Sequence, residues 1–306
     1  MLDYPKVSIL TLFNKNKYDF SKLMLYNINN FKYNKKLLEW VIYDDSKIEI
    51  DSEEIIKLKE QIKPIKLIYH HSNSKKKRGQ KRNELVKLAN NKYLINMDYD
   101  KIYFPSYIEH SINTLKTSKS GLVGVLDMLF IYPVLNFSMS YLKSYSLRQI
   151  YEESMCFTKK HFVSMGGFSN LDTGEGSKLI DFNKNISTTE SNKTLIFVNS
   201  EFNKNIQDYL IDHQIFGKIN IDYINIICNI MNIEYDPNIV HNFKQKALKA
   251  QKELKEKLEK EKLEKEKLEK EKLEKEKLEP TTEQNKTTTE NTEDTNIDII
   301  ELSEIN

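Results

Sequence analysis

Tyr93-Leu94-Ile95-Asn96-Met97-Asp98-Tyr99-Asp100 reads as a short apolar strand that ends in two acids one residue apart. Asn90-Asn91 stands before it and Phe104-Pro105 after it, so turn-forming residues bound the run on both sides. An apolar run of this length fits a buried strand of a parallel sheet. Asp98 and Asp100 then emerge at the carboxyl end of that strand, where open α/β sheets place their ligands. Strand side chains alternate between faces, so residues two apart share a side. Two carboxylates on one side can reach a single hard divalent cation, Mg²⁺ or Mn²⁺, through oxygen. Such a cation would neutralise a diphosphate. An isolated Asp-x-Asp is more often two surface acids at a loop start, but the chain around this one favours the ligand reading.

Working outward, Val7-Ser8-Ile9-Leu10-Thr11-Leu12-Phe13 is β-branched and apolar, a first strand broken by Asn14-Lys15-Asn16. Phe20, Leu23, Met24, Asn27 and Ile28 recur at helical spacing. Glu39-Trp40-Val41-Ile42-Tyr43 is a second strand, running into Asp44-Asp45-Ser46. A charged helix is predicted over 52–61, a third strand over 65–69, and a helix opening at Gly79-Gln80-Lys81-Arg82-Asn83. This unbroken alternation predicts a mostly parallel sheet with right-handed crossovers. Past Asp100 the pattern loosens. A helix over 107–115, a strand over 121–126, irregular strands within 141–158, an apolar stretch over 194–199 and an Ile-rich helix over 223–233 are expected.

Four of these motifs, in this order and spacing, resemble family 2 glycosyltransferases of the GT-A fold: Val7-Ser8-Ile9-Leu10-Thr11, the acid-tipped Glu39-to-Ser46 stretch, Gly79-Gln80-Lys81-Arg82-Asn83 and Asn96-Met97-Asp98-Tyr99-Asp100. The resemblance covers roughly residues 5 to 220. It implies a Rossmann-like donor half and a less regular acceptor half. It also implies that the Asp44-Asp45 motif holds the nucleoside of a UDP- or GDP-sugar and that Asp98 and Asp100 bind the diphosphate through Mn²⁺ or Mg²⁺. In such enzymes a Gly-Gly-Phe segment, here Gly166-Gly167-Phe168, precedes an acidic helix start that supplies the catalytic base. That start is Asp172-Thr173-Gly174-Glu175-Gly176-Ser177, and it departs from the many relatives that have two adjacent acids.

Each candidate also has a physical reading. A carboxylate at a strand end accepts from ribose hydroxyls or a base N–H; Asp44 is assigned to the ligand, Asp45 to local structure or ribose. A helix start at Lys81-Arg82 presents free N–H groups, and Arg82 adds a forked donor for phosphate. An inverting transfer needs a base for the acceptor hydroxyl proton. Glu175 is assigned that role, with Asp172 second and Glu152 and Glu153 as further candidates; the plain alternative is a capped helix start. The resemblance also implies a C-terminal histidine among the metal ligands, for which His213 is the best-placed candidate, although Gln214 stands where related enzymes often have Gly; a partly exposed structural histidine is the alternative. His70 and His71 read as structural, because adjacent strand residues point opposite ways.

The formal charge of +2 splits into −6 over 280–306 and +8 over the rest. That balance suits an anionic substrate and argues against a nucleic-acid binder. Two cysteines, Cys156 and Cys228, argue against a disulfide scaffold and fit a reducing compartment. Neither a membrane-spanning run nor a signal peptide is evident, which predicts a cytoplasmic protein. From 252 to 279 the chain repeats Lys-Leu-Glu-Lys-Glu, with leucines at 258, 263, 268, 273 and 278. Five residues turn a helix by a net angle of about 140°, so these leucines spiral and form no stripe. A solvated single helix held by pairs such as Glu261–Lys265 is expected. Pro280 ends it, and an acidic tail of disordered composition follows.

The expected organisation is a GT-A domain over 1–245, a charged helix over 246–279 and a disordered tail over 280–306. The expected activity is transfer of a sugar from a nucleotide-diphosphate donor to a hydroxyl of a glycan, protein or lipid-linked acceptor. The competing readings are a catalytically silent nucleotide- or sugar-binding module, or a scaffold whose repeat is the working part.

Overall fold

A computed structural model of the chain describes residues 4–14, 19–142, 150–180, 186–199, 210–211 and 219–237. The chain divides into two units, Met1–Gln251 and Lys252–Asn306, and every described residue belongs to the first. The expected charged helix over 246–279, the tail over 280–306 and His213 lie outside the described residues.

The first half alternates as its apolar periodicity predicts: β1 (Val7–Phe13), α1 (Ser21–Asn30), β2 (Leu38–Asp44), α2 (Ser52–Gln61), β3 (Lys66–His71), α3 (Arg78–Leu88) and β4 (Tyr93–Asn96). Then come β5 (Lys101–Tyr103), α4 (Tyr107–Thr117), β6 (Leu122–Gly124), β7 (Met128–Tyr132), β8 (Ser138–Leu142), β9 (Cys156–Thr158), α5 (Lys159–Ser164), β10 (Ile186–Thr188), β11 (Leu195–Val198), β12 (Leu210–Ile211) and α6 (Ile221–Met231). Among the described residues the strands form two sheets, ordered β10-β6-β9-β4-β1-β2-β3 and β12-β8-β7-β11-β5. In the larger sheet β1, β2, β3 and β4 run parallel, and β9 runs against β4 and β6. In the smaller one, β5 and β8 run against their neighbours and β11 runs parallel to β7. A large, mostly parallel sheet flanked by helices is the arrangement expected.

The central strands are buried on both faces, as parallel strands under crossover helices must be. Val7, Ile9, Trp40 and Ile42 join one apolar cluster with Ile108, Ile112 and Leu115 of α4. Leu10, Val41 and Tyr43 join another with Leu85, Val86 and Phe168. Trp40 fits inside because its indole N–H donates to Thr11 Oγ1 at 2.8 Å. His70 packs its ring against Tyr43, and His71 Nε2 lies 2.9 Å from the Ser46 carbonyl, so both histidines support the strand.

One expectation needs correcting. β4 ends at Asn96, so Asp98 and Asp100 do not share a side through strand pleating. The Met97 amide still donates to the Leu10 carbonyl of β1 at 2.8 Å, but the Asp98 amide donates to the Tyr103 hydroxyl at 2.8 Å. That side-chain acceptor takes the chain off the ladder into a turn at 99–100.

Helix α3 is docked at its first turn against the segment around Ser169. The Gly79 amide donates to the Leu171 carbonyl at 3.0 Å, and a Cβ on Gly79 would sit 1.8 Å from the Ser169 carbonyl oxygen. Only glycine allows that approach. Gly79→Ala is therefore expected to cost about 1–3 kcal/mol or more by overpacking, seen as a lower midpoint in chemical denaturation; an unchanged midpoint would show that the contact is not tight.

Candidate active site

The carboxyl ends of β1 and β2 and the turn after β4 converge. In the sheet order, β2 lies on one side of β1 and β4 on the other, so the crossovers diverge there, which is where open sheets leave a crevice. A cavity of about 270 Å³ occupies it, lined by Phe13 and Asn14 from β1, Asp45 after β2, Arg78 and Lys81 of α3, Asp98, Asp100 and Lys101 after β4, and Glu153 and Asp172 from the later chain. Asp45, Lys81 and Asp172 also line a second cavity of about 430 Å³, together with Lys75, Lys76 and Lys77.

Beneath this wall lies Arg82, which is fully buried. Its Nη1 and Nη2 donate to the two carboxylate oxygens of Asp98 at 3.2 and 3.1 Å, and its Nε donates to Glu175 Oε1 at 2.9 Å. The guanidinium also lies 6.0 Å from the Phe168 ring centre. Burial alone would favour losing the proton, but the charges of Asp98 and Glu175 outweigh it and hold Arg82 cationic. Two expectations change here. Arg82 does not line the cavity as a phosphate fork: it is fully buried and turns Nε, Nη1 and Nη2 to two carboxylates. Glu175, 1% exposed, faces Arg82 and does not line the cavity either.

The helix start also differs from the free N–H cradle expected. The Arg78 amide donates to Asp172 Oδ1 at 3.0 Å, the Lys77 amide to Gln80 Oε1 at 3.0 Å, and the Gly79 amide to Leu171. Asp172 thus caps α3 while lining both cavities. Lys81 reaches the cavity and ion-pairs with Asp45.

Of the paired acids after β2, Asp45 and not Asp44 faces the cavity. Asp44 is fully buried; its Oδ1 accepts from the Ser46 amide at 2.8 Å and its Oδ2 from the Tyr69 hydroxyl at 2.6 Å. Asp45 faces the cavity, where Asn14 Nδ2 donates to its Oδ1 at 2.8 Å. The reason lies in the neighbour strand: β3 brings Tyr69 against Asp44, and no local signal in the sequence announces that partner.

Asp98 and Asp100 both line the cavity. Lys101 Nζ lies 2.7 Å from Asp100 Oδ1 and stays protonated, since Asp100 and Glu153 outweigh the burial that would strip its proton. Glu153 is a cavity carboxylate weighed only lightly from sequence. Burial and then the nearby Asp98 charge push its carboxyl above the usual range. Its neighbour Glu152 turns away, with Oε1 accepting from the Gly176 amide at 2.9 Å. Lys101 and Asn14 were missed: Asn14 looked like a strand breaker, and Lys101 is one lysine among many in a lysine-rich chain.

Among the described residues no three His, Cys, Asp or Glu side chains gather into a metal-holding group. The donor set still fits Mg²⁺ or Mn²⁺. Such cations commonly take one or two protein carboxylates and complete the shell with substrate phosphates and water, and each Asp98 oxygen keeps a lone pair beyond its Arg82 bond. No helix among the described residues is long and apolar enough to cross a membrane.

Comparison with known proteins bears on this geometry. The sequence profile of glycosyl transferase family 2 matches residues 10–169. Among solved structures, the mannosyltransferase PcManGT from Pyrobaculum calidifontis, in complex with GDP-Man and Mn²⁺, aligns over 67% of this chain and 60% of its own at 14% identity and a TM-score of 0.51. The chain therefore spans less than two thirds of that enzyme. S. aureus TarS aligns at 12% identity with TM-scores of 0.48 for one structure, over 63% of this chain and 37% of its own, and 0.46 for residues 1–349 with UDP-GlcNAc, over 76% and 68%. No curated protein sequence matches the chain. With its profile match spanning more than half of the residues, on a mostly parallel sheet of the GT-A type, the chain belongs to glycosyl transferase family 2.

Proposed function

We propose that the protein transfers a sugar from a UDP- or GDP-sugar to an acceptor hydroxyl, using the cavity at the ends of β1, β2 and β4. The observation that carries this reading is the cavity wall itself, where Asp45, Lys81, Asp98, Asp100 and Lys101 meet at the switch point of the sheet. GDP-Man and Mn²⁺ in the Pyrobaculum calidifontis mannosyltransferase are in keeping with it.

The roles follow from the chemistry each group can perform. Asp45, steadied by Asn14, accepts from the base or ribose of the nucleoside. Lys81 and Arg78 face the diphosphate with positive charge. Asp98 and Asp100 would hold a divalent cation, which would supply Lewis-acid stabilisation of the departing diphosphate. Arg82 grips both Asp98 oxygens, so the carboxylate stands ready without reorganisation.

The proton acceptor must sit near the anomeric carbon, which is bonded to the diphosphate. Glu153, beside Asp98 and Lys101, meets that need; Asp172 lies toward Asp45 and the lysine-lined cavity. We assign the base to Glu153, and Glu175 to holding Arg82. Inversion at the anomeric carbon is part of the proposal, because a single carboxylate base and no covalent intermediate suffice for it. The charged repeat over 246–279 and the acidic stretch over 280–306 are proposed as appendages dispensable for turnover.

Calorimetric titration of UDP and GDP, with and without Mn²⁺, tests the donor site. One nucleotide should bind in a metal-dependent way, and Asp98→Ala/Asp100→Ala should weaken it at least tenfold, about 1.4 kcal/mol. Absence of any nucleotide binding with metal present would overturn the transferase reading in favour of a silent module or scaffold. Glu153→Gln should lower kcat by roughly 10²–10⁴-fold at nearly constant donor affinity. If Asp172→Asn does so instead, the base is Asp172. Arg82→Met strands two buried carboxylates and should cost about 3–5 kcal/mol of stability, measured by chemical denaturation.

A further inference from the structure

We infer that Lys101 is a built-in counter-cation that holds Asp100 until a nucleotide diphosphate arrives, so that the divalent cation binds with the nucleotide and only weakly without it. The inference rests on the donor-site reading proposed above and adds an order of binding to it.

Lys101 is not a surface lysine that reaches the site by chance. Its side chain is 13% exposed, and Nζ lies 5.5 Å from the Phe197 ring centre and 2.7 Å from Asp100 Oδ1. The backbone beneath it is pinned: its carbonyl accepts from Asn27 Nδ2 at 2.8 Å, and β5 pairs it with Phe197 of β11. The ammonium therefore lies on the wall of the same cavity as Asp98, Asp100 and Glu153.

A divalent ion arriving alone meets three obstacles. Asp100 is paired with Lys101, and no third protein carboxylate or imidazole among the described residues completes a shell around Asp98 and Asp100. It also approaches a fixed ammonium of like sign in a partly desolvated cavity, where Coulomb repulsion is weakly screened. A diphosphate removes these obstacles together. Its oxygens complete the coordination shell, and its negative charge gives Lys101 a second partner in place of Asp100. Metal and nucleotide affinities then rise together, and by linkage each raises the other by the same factor.

The test measures Mn²⁺ binding by the loss of its free-ion electron paramagnetic resonance signal, with and without UDP or GDP. The wild type should bind Mn²⁺ at least tenfold more tightly with nucleotide than without. Lys101→Met should bind Mn²⁺ without nucleotide about fivefold or more tighter than wild type, while its nucleotide affinity in Mn²⁺ falls; Lys101→Arg, which keeps the charge, should retain the wild-type coupling. A folded Lys101→Met with unchanged nucleotide-free Mn²⁺ affinity overturns the inference and leaves the donor site standing. Equal Mn²⁺ affinity of the wild type with and without nucleotide overturns it whether or not the variant folds. A wild type that binds no nucleotide in any condition removes the donor-site reading instead, and the inference falls with it.

Discussion

A guanidinium with no solvent contact must be neutralised where it stands, and the centre of this protein is arranged around that requirement. Arg82 is met by Asp98, 16 residues on, and by Glu175, 93 residues on. Dehydrating such ions costs several kcal/mol each even after relaxation, so the pairing holds only if α3, the turn after β4 and the segment before Glu175 are all in place. Neutral contacts reinforce the same junction. Asn83 donates to the Phe168 carbonyl at 3.0 Å and accepts from the Phe168 amide at 2.9 Å, while Gly79 lets the Ser169 backbone close in. Gly167 takes a φ of +78° to present Phe168 to that clamp, a conformation open to glycine.

This junction bears directly on the cavity. Asp98 is held at the cavity wall by two bonds from Arg82 and by the Tyr103 hydroxyl under its amide. The Tyr103 hydroxyl in turn donates to the Glu153 carbonyl at 3.0 Å, tying the Asp98 turn to the segment that carries Glu153. Groups held this way need little reorganisation when charge develops nearby, which is the advantage of preorganised polar sites. The second layer is therefore ionic and rigid, and the cavity wall above it alternates acids with cations.

Much of the parallel half was legible before any coordinates. Strand and helix periodicities of β1 through β4 are local properties of the chain, and burial on both sheet faces preserves them as continuous apolar runs. The acids after β2 and β4 were legible too, because a charged residue directly behind such a run has to leave the core. Which acid of a pair faces the cavity was not. Asp44 is taken by Tyr69 of β3 and by Ser46, so Asp45 becomes the cavity residue. Glu175 was singled out by its position after Gly-Gly-Phe, but its partner Arg82 stands 93 residues earlier, and only packing shows that the pair is buried.

The sequence by itself determined the alternation of strands and helices, the family, and the stretch from Asp98 to Asp100 as the point where charge meets the sheet edge. These depend on spacing along the chain, which local sterics and hydrophobic burial translate directly into structure. Tertiary structure alone decided that Arg82 and Glu175 lie beneath the cavity, that Asp45, Glu153 and Lys101 line it, and that a turn after β4 brings the two aspartates to the same cavity. Each of those outcomes depends on which distant group neutralises a buried charge or accepts a hydrogen bond, and such pairings leave no periodic trace in the chain.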